Sequence, residues 1–540
     1  MFLNFRPDKI ESEGFSELKG GGYIFFKGYV VLNDKIVTDE DFLPTLAKHF
    51  LEGELHSRVP TYNGNFIFVI VRGKELIAGN DRYGIYPLFY TEQKNQLIIS
   101  TQWQRLIPFS GKQLHRGSVL ETLSLGYVLG NKTLVENIFE FPTASILETR
   151  VVSDGLETTW KRYWKLEHRF KKGGFRKLEK EFAALWQKRI ALYSDYIKEH
   201  GNSCLQLLSG GLDSRLLAHE FDQAGIRIHA ITYGRGEESG EIVTARRVME
   251  KLTRGTSHKV FYNDQKELRK IVDSDVMYDR ITNVRNYEKE LYSYHELSQQ
   301  ATIRVPGYSG DFMAGSHIKF RMKSWQSKQD IVNYILKFQV TPLIKPDLAA
   351  SSEHREMLSR SLSDSINMDR DPISAFIQWD LDYRQRRYVV RSEVEDNSGP
   401  TRFLLPFFDN ELIDFFLDLP MEALLNTRLY TNAQLKYLYK SNPELIRIKR
   451  DNDRRQRPIR NNLVHEYNNK LRHLILMYRH RKDTSLHTNW APEIDWQKEV
   501  NSWDLPALLD EFQLNTENIS GAYVTYLLSL AKLNKELAAL

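Results

Sequence analysis

The stretch SGGLDS, residues 209–214, combines backbone freedom, hydroxyl groups and one carboxylate within six residues. The adjacent glycines Gly210 and Gly211 let backbone N–H groups turn toward a ligand without a Cβ clash. The residues that follow predict a helix, whose N-terminal amides and positive dipole end attract an anion to the same place. Together with the hydroxyls of Ser209 and Ser214, these features predict a phosphate-binding loop.

Asp213 gives this loop a second chemical property. A carboxylate repels a bare phosphate, so its presence indicates a Mg²⁺ ion that bridges the carboxylate and the phosphates. The common phosphate-loop pattern G-x-x-x-x-G-K-[ST] is absent, and the missing lysine indicates a different kind of phosphate loop. The alternative interpretation is a tight strand-to-helix turn without a ligand. The flanking LQLL strand pattern and the helix pattern favour the binding loop.

A second stretch, VPGYSGDFMAGS at residues 305–316, repeats this combination. Glycines and a single acid, Asp311, follow the apolar segment ATIRV. The alternative is an aspartate in an ordinary turn.

The elements around these loops predict two different architectures. The first part of the chain is rich in β-branched and aromatic runs, such as GNFIFVIVRGKELIAGND, broken by turn residues. From about Phe175 a helical pattern begins, followed by alternating strand and helix patterns, which is typical of a parallel sheet covered by helices. Residues 331–540 are predicted to be mostly helical. We therefore predict domains at 1–170 and 175–540, with the boundary in the polar HRFKKGG segment.

Composition limits the class of protein. The chain has 540 residues, 41% hydrophobic and 27% charged, and a net charge of only +5, which argues against a dedicated nucleic-acid binder. One cysteine excludes a disulfide framework within the chain and any Cys-rich metal site. The N-terminal residues lack a signal-peptide pattern, and no window is apolar enough for a membrane helix. We expect a cytoplasmic enzyme with no membrane partner.

SGGLDS also resembles the pyrophosphate loop of the ATP pyrophosphatases, which split ATP into AMP and pyrophosphate and transfer the adenylyl group to a substrate oxygen. Within that group the chain resembles the asparagine synthetase superfamily almost from end to end. The resemblance is carried by DRYGI with Pro87-Leu88, LGYVLGNKTLVENIFEFPTASILE, Tyr163-Trp164, LLPFFDNELIDFFLDLP and TNAQLKYLYK.

The resemblance implies an α/β chain with two domains. The first is an amidotransferase-like α+β domain, a β-sandwich, and the second is a pyrophosphatase-loop domain with a parallel sheet and a helical extension. It implies ATP and Mg²⁺ as cofactors, with Asp213 and Asp311 holding the metal. The predicted nucleotide contacts are Leu207, Ser209, Gly210, Gly211, Leu212, Asp213, Ser214, Thr232, Gly234, Gly307 and Asp311.

Tyr308 departs from the pattern of asparagine synthetases that use ammonia, which place a glutamate at this position. A tyrosine resembles the β-lactam synthetase branch, in which it takes part in deprotonating the attacking amine. A phenol with its ordinary pKa of about 10 needs a partner to act as a base. Glu393 and Glu395 lie in the region that could supply one, and nothing selects either. Packing against adenine or substrate is the alternative for Tyr308.

A second departure concerns the nitrogen source. Glutamine-hydrolysing members have a nucleophilic cysteine directly after the initiator methionine, whereas this chain begins Met1-Phe2-Leu3. The single cysteine, Cys204, lies in the strand before the nucleotide loop and is predicted to be buried. We therefore expect a first domain without glutaminase activity, and an amine or ammonia that comes from elsewhere.

The basic stretch from Lys449 to Arg460 is the third candidate site. In the family a lysine in a flexible loop near this place steadies the transition state of amide formation. Lys449 and Arg454 are both candidates, because the alignment slips by several residues. A solvated basic loop is the alternative interpretation.

These observations predict an ATP-dependent ligase that couples a carboxylate substrate to an amine or ammonia donor. The acid could be a metabolite or glycan acid, or the reaction could close a ring, as in β-lactam synthetases and lasso-peptide macrolactam cyclases. A precursor peptide or a partner biosynthetic enzyme, and a homodimer, are possible partners. A non-catalytic binding homologue and a tRNA-modifying ligase are the rival classes, the second disfavoured by the low net charge.

Overall fold

The computed structural model describes residues 1–93, 95–234, 236–262, 301–340, 352–391, 402–448, 530–531, 533–535 and 537–539. Within them the architecture is mixed α/β, with antiparallel sheets in the N-terminal region and a parallel sheet with helices in the C-terminal region. The predicted fold class is therefore confirmed. The exact division at 1–170 and 175–540 stays a prediction.

The N-terminal region contains strands that form two antiparallel sheets. They are β1 (Phe2–Phe5), β2 (Ile10–Glu13), β3 (Ser16–Glu17), β4 (Tyr23–Leu32), β5 (Lys35–Thr38), β6 (Asn63–Arg72), β7 (Glu75–Asn80), β8 (Phe89–Gln93), β9 (Gln96–Ser100), β10 (Phe139–Glu140), β11 (Ser145–Val152) and β12 (Gly155–Arg162). One sheet has the order β10-β8-β9-β1-β2, and the other has the order β12-β11-β7-β6-β4-β3 with β5 beside β4.

Strand β6 shows why these sheets stack. Its residues 64–71 are all buried, because both faces of the strand lie in a core. Phe66, Phe68 and Ile70 pack in the core that contains Phe42 of the helix Asp39–Leu51. The alternate residues 67, 69 and 71 pack in the core that contains Leu3 and Phe5 of the other sheet. The period of two along a strand thus assigns each residue to one of two cores.

The C-terminal region contains a parallel sheet of five strands in the order β15-β14-β13-β16-β17. These strands are β13 (Ser203–Leu207), β14 (Arg227–Gly234), β15 (Gly255–Tyr262), β16 (Ile303–Arg304) and β17 (Arg402–Phe403). The central strand β13 is fully buried. Because ligands of open parallel sheets bind beyond the carboxyl ends of the strands, the loops after β13 and β16 are well placed to form one site.

Helices cover the parallel sheet and connect it to the N-terminal region. The α-helices are Asp39–Leu51, Leu55–Arg58, Arg116–Leu125, Phe175–Glu199, Leu212–Gln223, Gly240–Met249, Gly310–Met313, Lys328–Phe338, Ser352–Ser365, Pro372–Trp379, Asn410–Asp418, Met421–Leu424, Arg428–Ser441 and Pro443–Arg447. A π-helix spans Asp380–Val390. In the described parts of the chain, no helix has both the length and the apolar character needed to cross a bilayer.

Buried polar contacts join the two regions. Arg386, Arg387 and Arg391 surround the carboxylate of Glu140, and every member of this cluster is less than 5% exposed. The Tyr83 hydroxyl donates to Asn410 Oδ1 at 2.7 Å. Hydrogen bonds of buried polar groups fix relative geometry, because a broken bond leaves a desolvated group behind. Buried ion pairs and hydrogen bonds therefore join the two regions.

Candidate nucleotide and metal site

The nucleotide loop, residues 209–214, connects β13 to the helix Leu212–Gln223. Its conformation is fixed by its own serines: Ser209 Oγ accepts from the Gly211 N–H at 3.2 Å and lies 3.1 Å from Ser214 Oγ. At Gly210 a Cβ would lie 3.1 Å from Cβ of Thr244 in the next helix, so a side chain would press on that helix. The loop thus directs the N-terminus of a 12-residue helix toward the carboxyl edge of the sheet.

Arg215 holds the nucleotide loop in place through hydrogen bonds to backbone carbonyls. Its buried guanidinium donates to the Gly210 carbonyl at 3.1 Å and to the carbonyls of Leu445 and Ile448 at 2.7 and 2.8 Å. Five donors in a rigid fork suit this bridging, which lysine could not reproduce. Arg215 thus connects the nucleotide loop to the residue that directly precedes the predicted basic stretch. The motif analysis missed it, because nothing local distinguishes it from a surface arginine of a helix.

The second loop, residues 305–316, follows β16 and packs directly on the first. A Cβ on Gly307 would lie 2.8 Å from Ser214 Cα, and a Cβ on Gly310 would lie 2.6 Å from the Tyr430 hydroxyl and 2.9 Å from Asp213 Oδ2. Glycine is therefore required at both positions by close approach. The intervening Ser309 has a left-handed backbone with φ of 66°.

The structure brings Asp213 and Asp311 together. The Asp311 N–H donates to Asp213 Oδ2 at 2.9 Å, and Asp213 Oδ1 accepts from the Tyr430 hydroxyl at 3.0 Å and from Gln434 Nε2 at 3.1 Å. Burial, and then the negative charge of Asp311, raise the pKa of Asp213 to about 7. A bound cation would reduce this repulsion between the two carboxylates.

These donors fit magnesium in contact with phosphates. Mg²⁺ prefers oxygen ligands and is usually held by one or two carboxylates, with phosphates and water completing its shell. Asp213 and Asp311 would supply the carboxylates, and the helix N-terminus beside them is suited to phosphate oxygens. The metal-ligand roles of both residues remain predictions.

The other predicted nucleotide residues lie along the same edge of the sheet. Leu207 ends β13 and Gly234 ends β14. The Thr232 hydroxyl already donates to the Leu208 carbonyl at 2.6 Å and lies 2.8 Å from His258 Nε2, so it is occupied within the protein. A Cβ on Gly234 would lie 2.4 Å from Ser239 Oγ and 2.5 Å from Ile242 Cδ1, so close packing is an alternative explanation for this glycine.

Tyr308 lies half-buried in a small apolar cluster with Leu205, Leu207, Ile231 and Ala301. This cluster contains Leu207, one of the predicted nucleotide contacts. Both interpretations of Tyr308, packing and proton transfer, stay predictions. Lys449, Arg454, Glu393 and Glu395 lie outside the described residues.

Tyr430 and Gln434 are site residues that the motif analysis did not select. Both lie on the helix Arg428–Ser441, more than two hundred positions after Asp213, and both are almost fully buried. Gln434 falls within TNAQLKYLYK, which was noted only as part of the resemblance. That segment was the available signal, and no local pattern indicates that its polar side chains reach the nucleotide loop.

Comparison with known proteins gives matches to both regions. Residues 38–164 match the family model of the glutamine amidotransferase domain, and residues 202–476 match that of asparagine synthase. The chain is 22% identical over 477 residues to asparagine synthetase (glutamine-hydrolyzing) 3 of Bacillus subtilis (strain 168), a match covering 79% of this chain and 72% of that protein.

Solved structures give weaker likenesses. The allosteric regulatory enzyme of purine biosynthesis has a TM-score of 0.20 and 11% identity, covering 46% of this chain and 62% of that one. Glutamine phosphoribosylpyrophosphate amidotransferase of B. subtilis has a TM-score of 0.19 and 10% identity, and the match covers 51% of this chain and 76% of that one. NAD⁺ synthetase of Burkholderia pseudomallei has a TM-score of 0.17 and 13% identity, and the match covers 45% of this chain and 88% of that one. Scores this low support no conclusion about function.

Proposed function

The chain belongs to the asparagine synthase family, and from this premise we propose that it activates a carboxylate as an acyl-adenylate and couples it to an amine that is not released by its own glutamine hydrolysis. It is an ATP-dependent carbon–nitrogen ligase of the asparagine synthetase type, which forms AMP and pyrophosphate. The observation that supports the finer proposal is the meeting of Asp213 and Asp311 beside the helix N-terminus.

The first step makes a leaving group. A carboxylate does not react with an amine because oxide leaves poorly, so an oxygen of the substrate carboxylate attacks the α-phosphorus of ATP and pyrophosphate departs. The N-terminus of the helix Leu212–Gln223 stabilises the charge that develops on the departing phosphates. Asp213 and Asp311 would hold Mg²⁺, which would screen the same charge when bound.

The second step forms the amide. The amine nitrogen attacks the acyl carbon, the bond to the AMP oxygen breaks, and the nitrogen loses a proton. A site that holds both reactants replaces concentration with proximity. Tyr308 remains our candidate for the group that takes part in removing the proton, and Lys449 and Arg454 remain candidates for stabilising the transition state.

The proposed amine source rests on Cys204. It is the single cysteine of the sequence, it is fully buried in β13, and burial raises the pKa of its thiol to about 12. A thiol in this state is no nucleophile at neutral pH, and it lies in the C-terminal region rather than the amidotransferase-like one. The amine therefore comes from ammonia or from another molecule, or from the acid substrate itself if the reaction closes a ring.

ATP–[³²P]pyrophosphate exchange with a panel of acids tests the activation step. Asp213→Asn should lower exchange at least about 100-fold, the scale typical of lost transition-state charge stabilisation. Asp222→Asn is the matched control, because Asp222 is a buried acid on the same helix that bonds Thr253 and Arg254 instead of the nucleotide loop. Exchange that persists in Asp213→Asn would refute the site.

Mass spectrometry of AMP and product then separates the remaining alternatives. AMP that forms with an acid alone, together with a product lighter than the acid by one water, would indicate ring closure. Product that requires an added amine would indicate coupling of two molecules. A wild-type protein that neither binds ATP nor exchanges pyrophosphate would instead be a non-catalytic homologue.

A further inference from the structure

Ser309 holds a backbone conformation that needs support. Its φ of 66° lies in the left-handed region, which costs conformational energy for any residue with a side chain. Ser309 is 6% exposed and stands between Tyr308 and the helix Gly310–Met313. Its backbone therefore determines how closely Asp311 approaches Asp213.

Gln385 supports this conformation directly. The Ser309 hydroxyl donates to Gln385 Oε1 at 3.1 Å, and Gln385 Nε2 donates to Asp380 Oδ1 at 3.3 Å. An ionised carboxylate can only accept hydrogen bonds, so the amide must present its NH₂ group to Asp380 and its oxygen to Ser309. All three side chains are buried, and the direction of each bond is fixed.

Asp380 anchors the other end of this chain of bonds. Its Oδ2 accepts from His317 Nδ1 at 2.7 Å, and Arg384 lies 3.9 Å from its Oδ1. Burial alone would raise the pKa of Asp380, but His317 and then Arg384 hold it below the usual range. Because Ser309 precedes Asp311 and His317 follows it, the same carboxylate holds both ends of the short segment that contains Asp311.

The π-helix makes this arrangement possible. In an α-helix, side chains five positions apart are rotated by roughly 140° and do not meet. A π-helix bonds residue i to residue i+5 and places such side chains on one face. The wider turns of Asp380–Val390 thus let Gln385 lie against Asp380 while Arg384 also reaches it.

The opposite side of the π-helix is held by the N-terminal region. Arg386 donates to the Phe141 carbonyl at 2.8 Å, and the Thr143 hydroxyl donates to Asp382 at 2.6 Å. The helix therefore cannot shift without breaking buried bonds in both regions.

We propose that Gln385, Asp380 and His317 are positioning residues that hold the second loop where Asp311 meets Asp213, so that binding of ATP with Mg²⁺ depends on them. This inference rests on the proposed function, which assigns the two carboxylates to the metal and phosphate site. In this proposal the three residues act on the nucleotide site through the loop.

Calorimetric titration of ATP in the presence of Mg²⁺ tests the proposal. Gln385→Leu removes both bonds at nearly constant volume and should weaken binding about ten-fold. Gln378→Leu is the matched control, because Gln378 is similarly buried and lies seven positions earlier, but bonds Asp382 and the Leu166 N–H, away from the loop. It should leave the affinity within about two-fold. Equal affinities for the wild type and Gln385→Leu, or equal weakening in both variants, would overturn the proposal.

Ser309→Gly distinguishes positioning from general damage. Glycine adopts the left-handed conformation without strain, so the loop no longer needs Gln385. The double variant Ser309→Gly/Gln385→Leu should recover affinity to within about three-fold of Ser309→Gly alone, a coupling that a merely structural role would not produce. Equal ten-fold losses in both backgrounds would contradict positioning.

Failure of Gln385→Leu to fold and failure of the wild type to bind ATP would have different meanings. If Gln385→Leu does not fold, His317→Gln replaces it with the same expected weakening, because His317 is 25% exposed and easier to substitute. If the wild type itself shows no binding of ATP with Mg²⁺, the proposed function fails, whereas wild-type binding without any effect of these variants defeats the positioning role alone.

Discussion

At the scale of single residues, the carboxylates of Asp213 and Asp311 repel each other, and a bound cation would reduce this repulsion. Asp213 accepts three hydrogen bonds, which favour its charge, yet burial and the nearby Asp311 raise its pKa to about 7. Metal binding requires the ionised form, so binding should release protons near neutral pH. Function and stability therefore make opposite demands on this pair.

Asp311→Asn should stabilise the metal-free protein above neutral pH. The folded-state pKa of Asp213 exceeds its ordinary value of 3.8, so the stability contributed by this group falls as the pH rises from about 4 through about 7. At pH 8 Asp213 is ionised, so removing the neighbouring carboxylate of Asp311 should raise the unfolding temperature by about 1 to 3 °C. Differential scanning calorimetry without metal measures the shift.

The comparison at pH 5.5 is the control for this prediction. There Asp213 holds its proton, so little repulsion exists and the variant should match the wild type. A stabilisation of equal size at both pH values would show that the effect is not electrostatic. The same variant should lose Mg²⁺-dependent ATP binding, a trade of function for stability.

At the scale of elements, the π-helix connects the two regions through Glu140. Burial alone would raise the pKa of this carboxyl, but Arg386, Arg391 and Arg387 lower it to about 2. Its contribution to stability is therefore complete above about pH 4.5 and is lost as the pH falls toward 2. A buried charge cluster of this kind specifies how elements fit, even where an apolar replacement could be as stable.

Glu140→Gln should destabilise the fold strongly. It leaves three buried guanidinium groups without this carboxylate, and breaking a buried pair typically costs about 3–5 kcal/mol. Urea unfolding at pH 7 measures the loss, and the gap to the wild type should narrow below pH 4.5. Glu157→Gln, at an exposed position of β12, is the control and should stay within about 0.5 kcal/mol. A loss below about 1 kcal/mol would contradict the role given to Glu140.

At the scale of the whole molecule, residues late in the sequence complete a core of the N-terminal region. Leu530, Ala531, Leu533 and Leu537 are buried together with Trp103 and other residues of that region. The chain thus returns to its first region after forming the parallel sheet. Part of this core therefore comes from residues about four hundred positions away.

Leu533→Ala with Leu537→Ala should therefore destabilise the N-terminal region. Each buried leucine replaced by alanine typically costs about 2–5 kcal/mol. Limited proteolysis followed by mass spectrometry should show new early cleavages within residues 89–138. Asn534→Ala with Lys535→Ala changes exposed neighbours of the same segment and should leave the cleavage pattern unchanged. New cleavages confined to the C-terminal region would contradict this packing.

Local sequence patterns predicted those features of the fold and site that depend on residues adjacent in the sequence. The SGGLDS stretch indicated a loop between strand and helix, and the apolar runs indicated the sheets. The resemblance, rather than spacing, paired Asp213 with Asp311. Tyr430, Gln434 and Arg215 could not be selected, because their contacts depend on how distant helices pack. The left-handed Ser309 and the π-helix were also missed, since tertiary contacts impose both.

The burial of Cys204 has a practical consequence for the study of this protein. Its thiol lies in the central strand of the parallel sheet and is shielded from solvent, so a thiol reagent modifies it only when that sheet opens. The rate of modification therefore reports the free energy of that opening, without any mutation. A ligand bound at the strand ends should slow this modification. The reaction rate of the Cys204 thiol therefore also measures how much of the site is occupied by ligand.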